Sequence, residues 1–206
     1  MIAEAATLIL AGLNRHIHAL AGNPAGTADV AILGSPAMID DPVVGPTLQN
    51  QVLLTLLNVE EEGTLKNGRT TFMEAGGTVV RNRPVHLNLL IMFSANYAVY
   101  LTGLERLGQT ISYFQGKKRF EPADFPGVLP RLTFGTELSL ALELMTLTLE
   151  ETSFVWGNNG GREMPFAAYR ARLVTLEARS AGDAVGEVLD IDIRTHDRFA
   201  AMAGGS

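Results

Sequence analysis

The chain has 206 residues, 47% of them hydrophobic, which suffices for one domain with a sizeable core. Its formal net charge is −6. A chain this acidic lacks the basic surface that phosphate contacts require, so we expect no nucleic-acid partner. It contains no cysteine, which excludes disulfides, thiolate zinc sites and a cysteine nucleophile, and which fits assembly in a reducing cytosol.

Residues 2–20 carry one apolar stripe. Apolar side chains recur there at steps of three and four residues, which predicts a first helix, and Gly22 and Pro24 end the pattern. Asn14 and Arg15 interrupt the stripe where a signal peptide would continue its hydrophobic region. No run of about 18 apolar residues exists, so the sequence predicts no membrane insertion.

The next segment alternates between strand and loop signals. Residues 28–33 predict a short strand, and residues 34–47, which contain three prolines, predict an irregular loop. Residues 51–60 are apolar on both alternating faces, which is typical of a strand inside a covered sheet or in an interface. The glycine-rich, basic residues 63–83 predict either a long loop or a hairpin tip that orders on a partner.

A strand followed directly by a helix is predicted in the middle of the chain. Residues 85–93 alternate between apolar and more polar side chains, as a strand does. The period then changes to that of a helix, predicted over residues 95–115. The residues at helical spacing are Tyr97, Tyr100, Leu101, Leu104, Leu107, Gly108, Ile111 and Phe114. Gly116 supplies a C-terminal stop.

The last third predicts two strands around a short helix. Residues 137–147 alternate as a half-exposed strand. Thr148 and Glu151 have the spacing of a capping box, and the helix they begin closes near Trp156, interpreted as a core residue. Residues 167–177 predict a final long strand.

The order of these elements predicts an α+β fold with one mixed, mostly antiparallel β-sheet packed by two longer α-helices. We assign residues 1–178 to one domain and residues 179–206 to a flexible tail or docking arm. Residues 187–193 alternate and predict a short strand that docks on a neighbour.

Acidic and histidine residues offer the only hints of chemistry. Glu60, Glu61 and Glu62 end a predicted strand, and alternation puts Glu60 and Glu62 on one face, as metal ligands or an acid/base pair would need. No evident partner accompanies them, so a solvated strand end or an intersubunit charge patch is the preferred interpretation. His16 and His18 lie two apart on a helix and cannot chelate one metal, which leaves a solvated or capping role.

Familiar catalytic motifs are missing. No serine occupies a nucleophile elbow, and the sequence at Gly116 lacks the remaining residues of a phosphate-binding loop. Lys117, Lys118 and Arg119 form a basic triplet whose simplest role is to complete the dipole of the preceding helix, with protein contact as the alternative. The sequence therefore predicts no enzyme, no catalytic residue, no cofactor and no metal site.

Several short motifs, in a fixed order, give the chain a resemblance to a known family. It resembles the N-terminal domain of the tube-terminator, or cap, proteins of extracellular contractile injection systems, which are related to the tail terminators of contractile phages. The matching motifs are LLNVEEE at residues 56–62, NRPVHLNL at 82–89, MFSANY at 92–97, ISYFQGK at 111–117, VWG at 155–157 and YRAR at 169–172. The chain differs from longer members in having little after residue 178.

The resemblance implies a structural role. Members of the family cap the inner tube, stop its polymerisation and join the last sheath ring as a six-membered ring. It implies a homohexamer that contacts tube and sheath proteins and that assembles in the cytosol before becoming part of a phage tail-like particle. A phage tail completion protein at a head–tail junction is the alternative, and a small-molecule hydrolase that uses Glu60 or Glu62 beside His86 is a remote one.

Charged residues are the predicted contacts of such a ring. The loop of residues 60–83 is the main contact element, with its arginines facing acidic neighbours, and the basic triplet is a second. The predicted interface residues are Glu60, Glu61, Glu62, Arg69, Arg81, Arg83, Lys117, Lys118 and Arg119.

Overall fold

The structure, a computed structural model, describes residues 2–22, 28–62, 71–74, 77–80, 85–128 and 138–176. These residues form three α-helices, α1 (Ile2–Leu20), α2 (Tyr100–Gly116) and α3 (Leu149–Asn158). They also form eight strands: β1 (Ala31–Leu33), β2 (Gln51–Glu61), β3 (Thr71–Glu74), β4 (Gly77–Val80), β5 (Val85–Asn96), β6 (Arg119–Phe120), β7 (Leu140–Met145) and β8 (Phe166–Leu176). The predicted tail and its docking strand lie outside the described residues.

Six of these strands form one mixed sheet in the order β1-β2-β5-β8-β7-β6. β1 runs parallel to β2, and each of the other neighbouring pairs is antiparallel. β3 and β4 pair separately as an antiparallel hairpin. The predicted α+β class is confirmed, and within residues 63–83 the hairpin prediction is the correct one for the two strands described.

The two long helices cover one face of the sheet. The α1 stripe and the inward side of α2 share a single core with alternate residues of the strands. Phe114 lies at its centre, with ring centroids 4.9 Å from Phe93, 5.2 Å from Tyr169 and 5.9 Å from Phe120. Such packed aromatic pairs stabilise a core beyond their buried area, by about 1 kcal/mol each.

The opposite face is covered by residues 34–50 and by α3. Leu53, Met92 and Ala168 are buried there. Trp156 of α3 lies edge-on against Phe166, with ring centroids 4.9 Å apart, which confirms its prediction as a core residue. Because both faces are covered at its start, β2 is apolar on both sides there, as predicted.

The start of α2 corrects the sequence prediction. The helix begins at Tyr100, five residues after the predicted residue 95, because β5 continues to Asn96. The Ala95 amide donates to the Pro165 carbonyl at 2.9 Å, and the Asn96 side chain donates to the Leu48 carbonyl at 2.7 Å. These two hydrogen bonds join distant segments, so local periodicity gave no sign of them.

The packed face of α2 agrees with the predicted stripe only in part, since Leu107 and Phe114 are buried as predicted. Its buried residues are Gly103, Leu107, Thr110 and Phe114, while Tyr100, Leu101 and Leu104 are exposed.

His16, predicted to be solvated or capping, instead stacks its ring on Tyr113 of α2, with centroids 4.9 Å apart.

Candidate interface surfaces

The acidic run lies at one end of the sheet, where β2 ends and β5 begins. Glu60 lies 3.9 Å from the Arg170 guanidinium of β8, and Glu62 accepts a 2.8 Å hydrogen bond from Asn88. The Glu62 amide donates to the His86 carbonyl at 2.8 Å. The run is therefore tied to the neighbouring strands, and we call this end of the sheet the acidic end. Arg69, Arg81 and Arg83, the predicted basic contacts, lie outside the described residues.

The acidic run belongs to a charged strip that sequence reasoning missed. Arg172, also on β8, forms an ion pair of 2.9 Å with Glu143 of β7, on the same sheet face as the pair between Arg170 and Glu60. The signal was present in the sequence, because Arg170 and Arg172 alternate with buried residues of a strand. Partly exposed pairs of this kind contribute little to stability.

The basic triplet does not form one patch. Lys117 donates to Asp124 at 2.9 Å and lies 5.5 Å above the rings of Phe120 and Phe125. Arg119 lies 3.9 Å from Glu121 and is exposed. Lys118 is exposed and forms no ion pair with another described residue. Of the three side chains, Lys118 is the one left available for a partner.

The pair between Lys117 and Asp124 gives a testable pH dependence. The hydrogen bond from Lys117, followed by that from the Glu121 amide, lowers the pKa of Asp124. A lowered folded-state pKa stabilises the fold above the unfolded pKa of about 4 and loses this effect as pH falls through the folded value. Asp124→Asn should therefore be less stable than the wild type at pH 7, and the difference should shrink at about pH 2.

Urea unfolding of both proteins at the two pH values measures this difference. Equal differences at pH 7 and pH 2 would show that Asp124 does not act through its charge.

An apolar surface lies at the other end of the sheet, where β2 begins and β5 and β7 end. We call it the apolar end. Most of the large hydrophobic side chains that are exposed among the described residues lie in its connections, namely Met38, Val43, Val99, Tyr100, Leu101, Leu104, Leu149 and Phe154. Tyr100 is 66% exposed and Leu101 is 65% exposed. Clustered apolar exposure of this kind marks an interaction site more often than a free surface.

A cleft of about 420 Å³ opens within the apolar end. It lies between the start of α2 and the connection that leads into β8, and its walls include Tyr97, Tyr100, Gly103 and Pro165. Arg162 at its rim is paired with Asp40 at 2.5 Å. Sequence reasoning missed this surface because it assigned its tyrosines and leucines to the core.

Two observations concern a metal site and the residues of the remote hydrolase hypothesis. None of them form a group of three or more His, Asp or Glu side chains that could hold a metal ion. The cleft at the apolar end is not lined by Glu60, Glu62 or His86, so it does not join the residues of the remote hydrolase hypothesis. Across the same ranges, no helix has both the length and the apolar character needed to cross a membrane.

Comparison with protein families decides what this α+β domain is. The family model of the Pvc16 N-terminal domain matches residues 5–189, most of the chain. The chain belongs to the Pvc16 N-terminal domain family. The resemblance to tube-terminator N-terminal domains is thereby confirmed, whereas the domain boundary at residue 178 stays a prediction.

Two solved structures share the fold of this family member. One is the sheath/tube terminator of an extracellular contractile injection system, PVC, in its extended state, with a TM-score of 0.58, 12% identity and 93% of this chain covered. The other is the tube-terminating cap of the anti-feeding prophage, with a TM-score of 0.52, 11% identity and 89% covered. The chain spans 61% and 57% of the length of these two proteins. No curated protein matches the chain.

Proposed function

We propose that this chain caps the inner tube of a contractile injection system. It ends tube polymerisation, joins the last sheath ring and works as a ring of six subunits that assembles in the cytosol. The observation that carries the proposal is the match to the Pvc16 N-terminal domain family over residues 5–189. The fold shared with a sheath/tube terminator and a tube-terminating cap supports it.

The contrast between the two ends of the sheet suggests how one subunit could stop a polymer. A tube grows because each ring offers the next one a complementary surface, so a terminator must bind with one side and offer nothing on the other. In this proposal the apolar end binds the last tube ring, since burying Tyr100, Leu101 and Leu104 would remove exposed apolar area from water. The acidic end presents Glu60 and its neighbours, which would repel a second acidic surface.

Contacts around the ring are assigned to charged residues. The basic loop residues Arg69, Arg81 and Arg83 would face acidic residues of the neighbouring subunit, and Lys118 would contribute from the end of α2. Six linked subunits gain affinity through avidity, so ring formation and capping would be coupled.

A capping assay tests the binding surface. Purified inner tube is mixed with the chain and imaged by negative stain, and the mass of the free chain is measured by light scattering. Leu101→Asp with Leu104→Asp should reduce capped ends by at least about tenfold, because each change puts a charge into an apolar contact.

Ser112→Asp is the matched control, since it adds a charge at an exposed position of the same helix away from the apolar end. Equal capping by the double variant and the control would overturn the assignment of the apolar end. Reversal of Arg69, Arg81 and Arg83 to glutamate should weaken the ring in the same assay, and unchanged mass and capping would remove the loop from the interface.

A phage tail completion protein at a head–tail junction is the second candidate, because the same fold and ring would serve it. Genes for a capsid beside this gene would favour that role.

A further inference from the structure

The sheet has an open edge at β7. β6 pairs only with Leu140 and Ala141, and the Lys118 carbonyl accepts a last hydrogen bond from the Leu142 amide at 2.8 Å. In the described part of the chain no strand pairs with this side of β7 beyond that point. In an antiparallel ladder every second residue faces the same neighbour, so the Leu144 amide and carbonyl also point to this edge. The edge can accept another strand.

A notch of about 280 Å³ with a mixed apolar and polar lining lies beside this edge. It is formed by the end of α2 and by β7, with Phe114, Lys118 and Leu142 among its walls. Leu140 and Leu142 are almost fully buried, but Leu144, the next residue on the same face, is 51% exposed. The apolar face of β7 therefore extends to Leu144, which the described residues leave partly exposed.

A tyrosine of β8 also lines the notch. Tyr169 lines the notch and is 3% exposed, and no described residue hydrogen-bonds its hydroxyl group. Burial raises its pKa to about 12. A docked strand would bring backbone groups within reach of this hydroxyl group.

The chain contains a segment that fits this edge. Residues 187–193 read EVLDIDI, so Leu189, Ile191 and Ile193 would lie on one face of a strand and Asp190 and Asp192 on the other. Ten residues separate this segment from the end of β8, and they can span roughly 33 Å when extended. Leu144 pairs with Tyr169, seven residues before the end of β8, so the segment must pass roughly 23 Å along the sheet and about 10 Å across it, which lies within this reach.

Charge distinguishes between the two open edges of the sheet. β1 pairs with β2 only as far as Leu54, and among the described residues no other strand pairs with that side of β2 toward its end. That edge leads to Glu60, Glu61 and Glu62, which would repel an acidic strand. The lining of the notch at β7 includes Lys118, which would attract an acidic strand, and Glu143, whose carboxylate is already paired with Arg172.

We propose that residues 187–193 of this chain add a strand to the open edge of β7, with their apolar face in the notch and their acidic residues near Lys118. The proposal does not depend on the capping function, since it concerns the fold of one subunit.

Engineered cysteines test the proposal cleanly, because the full chain has none of its own. Leu144→Cys is combined in turn with Leu189→Cys, Ile191→Cys or Ile193→Cys, which samples the possible registers. Paired strands bring Cα atoms within the 4.4–6.8 Å range that a disulfide needs. We expect an intrachain disulfide in one of the three variants, formed at least about tenfold faster than in the control, which combines Leu149→Cys with Ile191→Cys.

Charge variants add a second readout. In the fastest pair, Lys118→Glu should slow disulfide formation several-fold, whereas Arg119→Glu, the same change one residue away and outside the notch, should not. Rates no faster than the control in all three pairs would overturn the proposal. Disulfides between chains would also overturn it and would assign the edge to a neighbouring subunit.

Discussion

Replacing Gly12 with valine should lower the free energy of unfolding by about 3 kcal/mol, through overpacking between α1 and α2. A Cβ atom at Gly12 would lie 2.3 Å from the Tyr113 hydroxyl oxygen and 2.8 Å from Cζ of Phe125. These rings have little room to move, because Tyr113 stacks on His16 and Phe125 stacks on Phe120. The midpoint of thermal unfolding should fall by roughly 10 °C.

Gly108 provides the matched control. It lies in α2, and a Cβ atom there would meet no atom within 4 Å. Gly108→Ala should therefore stabilise the protein by about 0.5–1 kcal/mol, because alanine has the higher helix propensity. Both variants are measured by calorimetry. A Gly12→Val protein as stable as the wild type would show that the two helices do not approach each other as closely as the structure describes.

Replacing Asn14 with alanine should cost about 4 kcal/mol, since it leaves buried backbone groups without partners. The Asn14 side chain donates to the Ala31 carbonyl at 2.8 Å and to the Asp29 carboxylate at 3.1 Å. Its oxygen accepts from the amides of Val30 at 2.9 Å and Ala31 at 2.8 Å. The Asn14 side chain therefore links α1 to β1 by hydrogen bonds. Urea unfolding of the variant and the wild type at neutral pH measures its contribution to the free energy of unfolding.

Asn58→Ala controls for the loss of an asparagine, because Asn58 is exposed on β2 and should change stability by less than about 0.5 kcal/mol. If Asn14→Ala cost no more than Asn58→Ala, then water or rearranged backbone must satisfy the groups around β1. Hydrogen exchange at the Ala31 amide would distinguish these outcomes, since a loosened β1 exchanges faster.

Local sequence patterns predicted the elements that are defined by interactions between residues close together in the chain. α1 has its predicted bounds because a continuous stripe and a glycine stop define a helix without reference to other segments. The capping box at the start of α3 is also confirmed, with the Glu151 amide donating to the Thr148 hydroxyl at 3.2 Å and the Thr148 amide to the Glu151 carboxylate at 2.8 Å. Residues that interact within four positions leave a signal that can be read directly.

The packed face of α2 could be predicted only in part. The apolar stripe included Leu107 and Phe114, which are buried, but the helix also packs through Gly103 and Thr110. Small residues at the contact bring the helix close to β5, since a Cβ atom at Gly103 would lie 3.7 Å from that of Ala95. Thr110 can be buried because its hydroxyl donates to the Arg106 carbonyl at 2.8 Å. Hydrophobicity alone ranks Gly103 and Thr110 below Leu101 and Leu104.

Among the candidate surfaces, the acidic run could be predicted from the sequence, whereas the apolar end and the notch could not. The acidic run at Glu60 was visible because three carboxylates are adjacent in the sequence. The apolar end was not visible in the sequence, because its residues come from three separate segments: the connection before β2, the start of α2, and α3. The sheet brings these segments to one end only in the folded chain. The notch at β7 likewise joins Phe114, Leu142 and Tyr169 from three elements.

By itself, the sequence determined the α+β class, the positions of the main helices and strands and, through ordered motifs, the family. Each of these depends on short-range periodicity or on residues that are adjacent along the chain. Only the tertiary structure decided which apolar side chains are core and which are surface, where β5 gives way to α2, and which edges of the sheet the described residues leave unpaired. These depend on contacts between distant segments, and a side chain such as Leu101 has the same hydrophobicity whether a neighbouring segment covers it or leaves it exposed.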